Sequence, residues 1–226
     1  MIIRITFLLF LFVMCISAGR ISHEQDYYSG YTYINFRTDK RYSELLDLAH
    51  PDLPRLQAVL FFLTNEVRVR YKLPPLTYSM ELEETAHMHA EDMVKQRFFS
   101  HMNTNTASKY SPNDRAKLNK ISNPFLAENI IEGYGLQYIS KKTVYLRGKG
   151  NFSYKPGGEL LKPHTYLSLG ESLITGWMNS KEHRKNILSG EALQLGCGIY
   201  FYNDPEFNDM PSCKAVQNFQ WYHLIQ

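Results

Sequence analysis

Apolar residues recur at helical spacing from Leu56 onward, with Leu56, Val59, Leu60, Leu63 and Val67 on one face; this pattern predicts an amphipathic helix. Asp52 can cap its start, Pro54 suits its first turn, and Leu73-Pro74-Pro75 ends it. Ser79 opens a second helix. Glu81, Glu83 and Glu84 cluster in its first turns, where the helix dipole favours acids, and Leu82, Ala86, Ala90, Met93 and Val94 form its buried face. His87 falls off that stripe and is expected to be exposed; His89 flanks it and is expected to be a satisfied core histidine. Ser111-Pro112-Asn113-Asp114-Arg115 starts a short helix by turn and cap chemistry. Later, GESLITGWMNSKEHRKNIL carries Leu173, Ile174 and Trp177 on a short apolar helix that breaks at Asn179 and Ser180 and restarts. Ser180 is the expected cap of the second piece, accepting the backbone N–H of His183.

Strand-like runs follow a different rhythm. LGCGIYFY and CKAVQNFQ bracket the turn-rich NDPEFNDMPS and read as a hairpin. Residues 143–146 and 152–154 around Gly148-Lys149-Gly150 read as a smaller one. Residues 20–50 are polar and Tyr-rich without a sustained period, an arm lying on the domain that fills 51–226.

Composition narrows the class. The chain has 226 residues, 44% hydrophobic and 21% charged, which fits one globular domain with a sizeable core. A net charge of +3, with no Lys/Arg block, argues against a nucleic-acid partner. At the N-terminus Arg4 precedes an apolar run over 5–16, followed by small residues to Gly19. This is the pattern of a cleaved export signal over 1–19, too short for the roughly 20 residues of a membrane span. The expected location is therefore secreted, periplasmic or otherwise extracytoplasmic, with a lipid anchor at Cys15 as the alternative. Removing the signal leaves Cys197 and Cys213. An even count in an exported domain predicts a disulfide tying the hairpin, with two buried thiols as the alternative. Asn151-Phe152-Ser153 is a glycosylation sequon, usable only in a eukaryotic host.

Three positions carry candidate chemistry. His183 falls in a first helical turn, where the positive helix end favours a neutral imidazole able to coordinate a metal or accept a proton. Glu128 lies among Phe125, Leu126, Ile130 and Ile131, and a carboxylate buried there needs a partner. His101 follows Ser100 where a helix gives way to a polar loop.

The order of these pieces resembles the CAP superfamily (the cysteine-rich secretory, antigen 5 and pathogenesis-related proteins), especially its microbial secreted SCP-domain branch. The residues that carry the resemblance are LTNEVRVRYKLPPL at 63–76, AHMHAEDM at 86–93, FSH at 99–101, SPNDR at 111–115 and AENI at 127–130. They continue with WMNSKEHRKNIL at 177–188, LGCGIYF at 195–201 and VQNF at 216–219. The resemblance implies an α+β fold, a three-layer α–β–α sandwich with a central mostly antiparallel sheet. It also implies a cleft of two His and two acids, of which His101, Glu128 and His183 match three. The second acid falls near Ser180 and is missing; Glu182 is a neighbour off the aligned position. The interval from Glu128 to Trp177 is long for the family, and the excess is an insertion at about 138–167.

Three functions fit these residues. A non-catalytic extracellular binding module would use His101, His183 and Glu128 to hold a divalent metal such as Zn²⁺, or a lipid, peptide or glycan ligand. A hydrolase would use His183 as base, Glu128 as its orienter and Ser180 or Ser100 as nucleophile, or a metal-bound water. A structural envelope or host-interaction protein would use the cluster only to hold its sandwich together.

Overall fold

The computed structural model describes residues 27–121 and 125–221. The export segment expected at 1–19, with Cys15, lies outside the described residues. The chain runs α1 (Leu53–Arg70), β1 (Thr77–Tyr78), α2 (Met80–Lys95), α3 (Pro112–Leu118) and β2 (Leu126–Tyr134). It continues through β3 (Tyr145–Leu146), β4 (Phe152–Ser153), α4 (Tyr166–Asn179), α5 (Lys181–Ile187), β5 (Gln194–Asp204) and β6 (Met210–Gln220). Local chemistry sets the helix starts: Asp52 accepts from Arg55 N–H, Ser79 from Leu82 N–H, and Ser111 and Asp114 form a reciprocal capping box. Thr165 and Ser168 do the same for α4, which begins earlier than its apolar run suggests.

A four-stranded sheet in the order β1-β5-β6-β2 forms the middle layer, antiparallel except for the short parallel pairing of β1 with β5. Alternation along each strand assigns the faces. Leu195, Cys197, Ile199, Cys213, Ala215 and Phe219 pack with α1 and α4, while Val216, Ile130 and Tyr200 pack beneath Ala86, Ala90 and Met93 of α2. α2 lies almost on the backbone of β5. A Cβ at Gly196 would stand 2.0 Å from Glu83 N, and one at Gly198 2.2 Å from Ala86 C. Only glycine permits that approach, so LGCGIYF owes both glycines to helix–sheet distance.

Residues 27–50 bury Tyr27, Phe36, Tyr42 and Leu46 in the α1/α4 core. A carboxylate secures this segment to α2: the Tyr28 and Tyr78 hydroxyls both donate to Glu83, the latter at 3.0 Å, and the two rings stack. The small hairpin pairs Leu146 with Phe152 and Tyr145 with Ser153. Phe152 is 1% exposed and forms a satellite core with Leu136 and Met210 beyond the end of β2, about six residues or 20 Å along the strand from Glu128. The insertion therefore does not lie over the candidate cleft.

The expected disulfide is not formed. Cys197 and Cys213 are buried free thiols. The register pairs Cys197 with Gln217 and Cys213 with Phe201, an offset of four residues or roughly 13 Å along the strand. A bridge needs Cα atoms within about 7 Å. An even cysteine count carries no information about register, which is why it misled here. Dithiothreitol should accordingly leave the melting temperature unchanged, and Cys197→Ser should cost the same stability in oxidising and reducing buffer. A reductant-dependent melt would contradict this pairing.

Burial pushes the Glu83 carboxyl up to about 7, against the two tyrosine hydrogen bonds that favour its ionised form. An acid raised on folding contributes stability that is complete below its unfolded value of 4.5 and is lost as pH rises through about 7. Glu83→Gln should remove a loss of about 3 kcal/mol between those limits. Chemical denaturation of both proteins at pH 5 and pH 8 measures it; parallel curves would refute the assignment.

Candidate functional site

Glu128 and Asn129 are adjacent on β2, the edge strand, and so face opposite layers. Glu128 points toward α2 and α3. Arg115 Nη2 donates to both its oxygens at 2.8 and 3.1 Å, and the side chains of Arg115 and Glu128 are 0% and 2% exposed. Asn218, with its amide oriented to satisfy both neighbours, donates to Glu128 Oε2 at 3.2 Å and accepts from Ala86 N–H. His101 Nδ1 lies 2.9 Å from Glu128 Oε1. An ionised carboxylate only accepts, so Nδ1 carries the proton and, in the neutral ring, Nε2 keeps its lone pair. Burial opposes ionisation of Glu128, but the His101 hydrogen bond and the neighbouring positive charge outweigh it and hold its carboxyl below the ordinary range.

The loop that presents His101 is fixed at several points. His89 Nε2–H donates to Ser100 O at 3.0 Å, Arg115 Nη2 donates to His101 O at 3.0 Å, and Lys109 pairs with Asp92 at 2.9 Å. His89 is fully buried, and burial lowers its pKa to about 4, so its 3.7 Å approach to Glu128 is not an ion pair at neutral pH. Among the described residues its Nδ1 has no hydrogen-bond partner, so it is a core histidine satisfied there on one nitrogen only. His87, expected to be exposed, is half-buried: Gln57 lies 3.3 Å from its Nδ1 and Tyr200 lies beside its ring.

On the opposite face, Asn129 Nδ2 donates to Gln217 Oε1 (3.0 Å) and to His183 O (3.1 Å). Asn186 donates to Asn129 Oδ1 at 2.9 Å, and Gln217 donates to Thr64 Oγ1 at 2.7 Å. This buried amide chain runs from α1 across the sheet and clamps α5 to the edge strand. His183 is thereby held half-buried, close enough for the charge of His101 to disfavour its own; burial and that charge together depress its pKa. Ser180 occupies the cap position of α5, but its side chain makes no capping bond; its carbonyl accepts Arg184 N–H at 2.9 Å instead.

The structure thus joins His101 directly to Glu128 and brings His183 alongside from the other layer. His101 is 45% exposed through its side chain, whereas Glu128 is sealed inside. Among the described residues, no group of three or more His, Cys, Asp or Glu is arranged to hold a metal ion. The set His101, Glu128 and His183 does not fit a three-donor zinc centre, because Arg115 and His101 already occupy the carboxylate. Ser100 Oγ accepts Met102 N–H, and among the described residues no hydroxyl is hydrogen-bonded to His101 or His183. Sequence reasoning missed Arg115 and Asn218. A strongly capped arginine in SPNDR was the available signal for the first; Asn218 had none.

The pattern of the cysteine-rich secretory protein family, CAP, matches residues 61–219. The chain belongs to this family. Its three layers are the family's fold, and they superpose on an extracellular protein containing a SCP domain from Bacillus anthracis str. Ames. That match has a TM-score of 0.51 at 25% identity, over 75% of this chain and 41% of that one. Among curated proteins, the CAP chain is 27% identical over 140 residues, 61% of its length, to the uncharacterized membrane protein YlbC of Bacillus subtilis (strain 168). It is 28% identical over 136 residues, 60% of its length, to the uncharacterized protein YkwD of the same strain. The aligned part spans only 29% and 39% of those two relatives.

Removing the Glu128 charge leaves Arg115 buried without a counter-ion. Glu128→Gln should therefore destabilise the CAP domain by about 3–5 kcal/mol in urea denaturation. Because folding lowers the Glu128 pKa, its contribution is complete above the ordinary carboxylate range and fades as pH falls through the folded value. The deficit of the variant should shrink in acid. A loss below about 1 kcal/mol at neutral pH would mean the pair is not desolvated.

Proposed function

We propose that this chain is an exported, non-catalytic binding module whose ligand-contacting groups are the imidazoles of His101 and His183 at the free edge of β2. The observation that carries this reading is the division of the cluster. Glu128 is saturated from within by Arg115, His101 and Asn218, while His101 remains open to solvent beside a half-buried His183. Glu128 then acts as an orienting group that fixes the His101 tautomer and aims its Nε2 outward. An imidazole in its neutral form offers a lone pair, and burial favours that form at His183, so the favoured ligand presents hydrogen-bond donors such as hydroxyl, amide or ammonium groups. Zinc would find two of the four donors it takes and would need the ligand to supply the others. Export is supported by the signal pattern over 1–19 and by likeness to an extracellular SCP-domain protein; no helix among the described residues is long and apolar enough to cross a membrane.

Zinc chloride is a suitable probe of the pair. In a titration followed by nitrogen-detected NMR of the histidine rings, His101 Nε2 and His183 should respond together and weakly, with His89 unaffected. His101→Ala should abolish the response at His183, and acidification through His183 protonation should weaken it. Independent responses at the two rings would remove the shared site. Ester or peptide turnover lost on His183→Ala would replace binding with hydrolysis.

A further inference from the structure

A second feature lies beside the imidazoles but does not include them. A groove of about 460 Å³ follows α5 to the end of β6, lined by Lys181, Arg184, Lys185, Leu188, Glu191 and Trp221 among others. That volume is in the range of ligand sites. Lys181, Arg184 and Lys185 stand at i, i+3 and i+4 and therefore share one helix face. All three are exposed, and among the described residues no salt bridge engages them. Glu191 is the single carboxylate of the lining.

Beneath the groove the charge is reinforced rather than cancelled. Arg68 is fully buried and donates to Ile187 O and Ser189 O, both at 2.8 Å, and to Pro74 O at 3.0 Å. Among the described residues it has no carboxylate partner, and its Nη2 has no hydrogen-bond partner. At the other wall stands half-buried Trp221, whose buried Nε1–H has no hydrogen-bond partner among the described residues. The groove lining thus combines three exposed cations against one carboxylate, with the half-buried Trp221 at one wall and Arg68 sealed beneath. It is an open trough along a helix, suited to an extended chain with negative charges about one helical turn apart, about 5.4 Å.

We propose that this groove binds an anionic glycan, a polysaccharide with carboxylates or phosphates on successive units. The sugar face packs on Trp221, and the acidic groups meet Lys181, Arg184 and Lys185. The site is independent of the imidazole pair, so either can fail without the other.

Calorimetric titration of the exported chain with a short oligogalacturonate tests it, using a neutral cello-oligosaccharide of equal length and phosphatidylglycerol vesicles as comparators. The oligogalacturonate should bind, the neutral oligosaccharide should not, and added salt should weaken binding. Lys181→Glu combined with Lys185→Glu should lower the affinity at least about tenfold. Lys185→Arg should retain it, and Lys155→Glu, which reverses an exposed charge on the hairpin, should leave it unchanged. Trp221→Ala should weaken binding at both low and high salt; if that variant does not fold, the two exposed lysines decide the matter, with the melting temperature as the folding control. Unchanged affinity in the double lysine variant, equal binding of the neutral oligosaccharide, or binding to vesicles in place of the glycan would overturn the proposal.

Discussion

Two consecutive residues of one edge strand hold the site from both sides. Because strand side chains alternate, Glu128 and Asn129 must point into different layers. Glu128 gathers Arg115, His101 and Asn218 on the α2/α3 side, and Asn129 gathers Gln217, Asn186 and the His183 carbonyl on the α4/α5 side. Neither imidazole is on the sheet. Each is brought to the edge by a backbone or side-chain bond to β2, so the spacing of the imidazoles depends on the pleat of a single strand. A one-residue slip of β2 against β6 would exchange the two faces and dismantle the arrangement.

The energetics separate the inner and outer parts of this cluster. Arg115 and Glu128 are both desolvated, and their attraction is useful mainly because neither is tolerable alone. The Glu128 oxygens also accept from His101 and Asn218, which satisfies the lone pairs that an ion pair by itself would leave open. What remains for an external ligand is the outer rim. In the binding role proposed above, the same residues would serve both stability and recognition through different atoms: the Glu128 oxygens and His101 Nδ1 face inward, and the exposed part of the His101 ring is left for the outside.

Much of this was legible in the chain because it is local. Caps at Asp52, Ser79 and Ser111 lie within three residues of the N–H groups they satisfy, and the apolar faces of α1 and α2 repeat within a few turns. The α–β–α layering and the nearness of His101 to Glu128 came from motif order, not from periodicity. Nonlocal geometry was hidden. The offset of Cys197 from Cys213 depends on register, the burial of His87 on Gln57 and Tyr200, and the idle Ser180 side chain on α5 being held by Asn129 instead. His89 is the core residue its position predicts, yet its contact with the Ser100 carbonyl, which helps to place His101, needs the chain to fold back over a separation of eleven positions.

The ends of the sheet divide the remaining labour. At one end β2 begins, β5 begins and β6 finishes, with Leu126 and Gln194 both opposite Gln220; the imidazole pair and the α5 groove both gather there. At the other end the 138–167 insertion packs Phe152 against Leu136 and Met210, in a cluster separate from the main core. Surface chain of that length adds little closure entropy, since the cost grows only with the logarithm of loop length. A separate small core lets the insertion order itself without drawing on the packing that positions β2. Growth of the chain at that end and the recognition proposed for this one are therefore physically compatible, because the strands between them keep the register that both require.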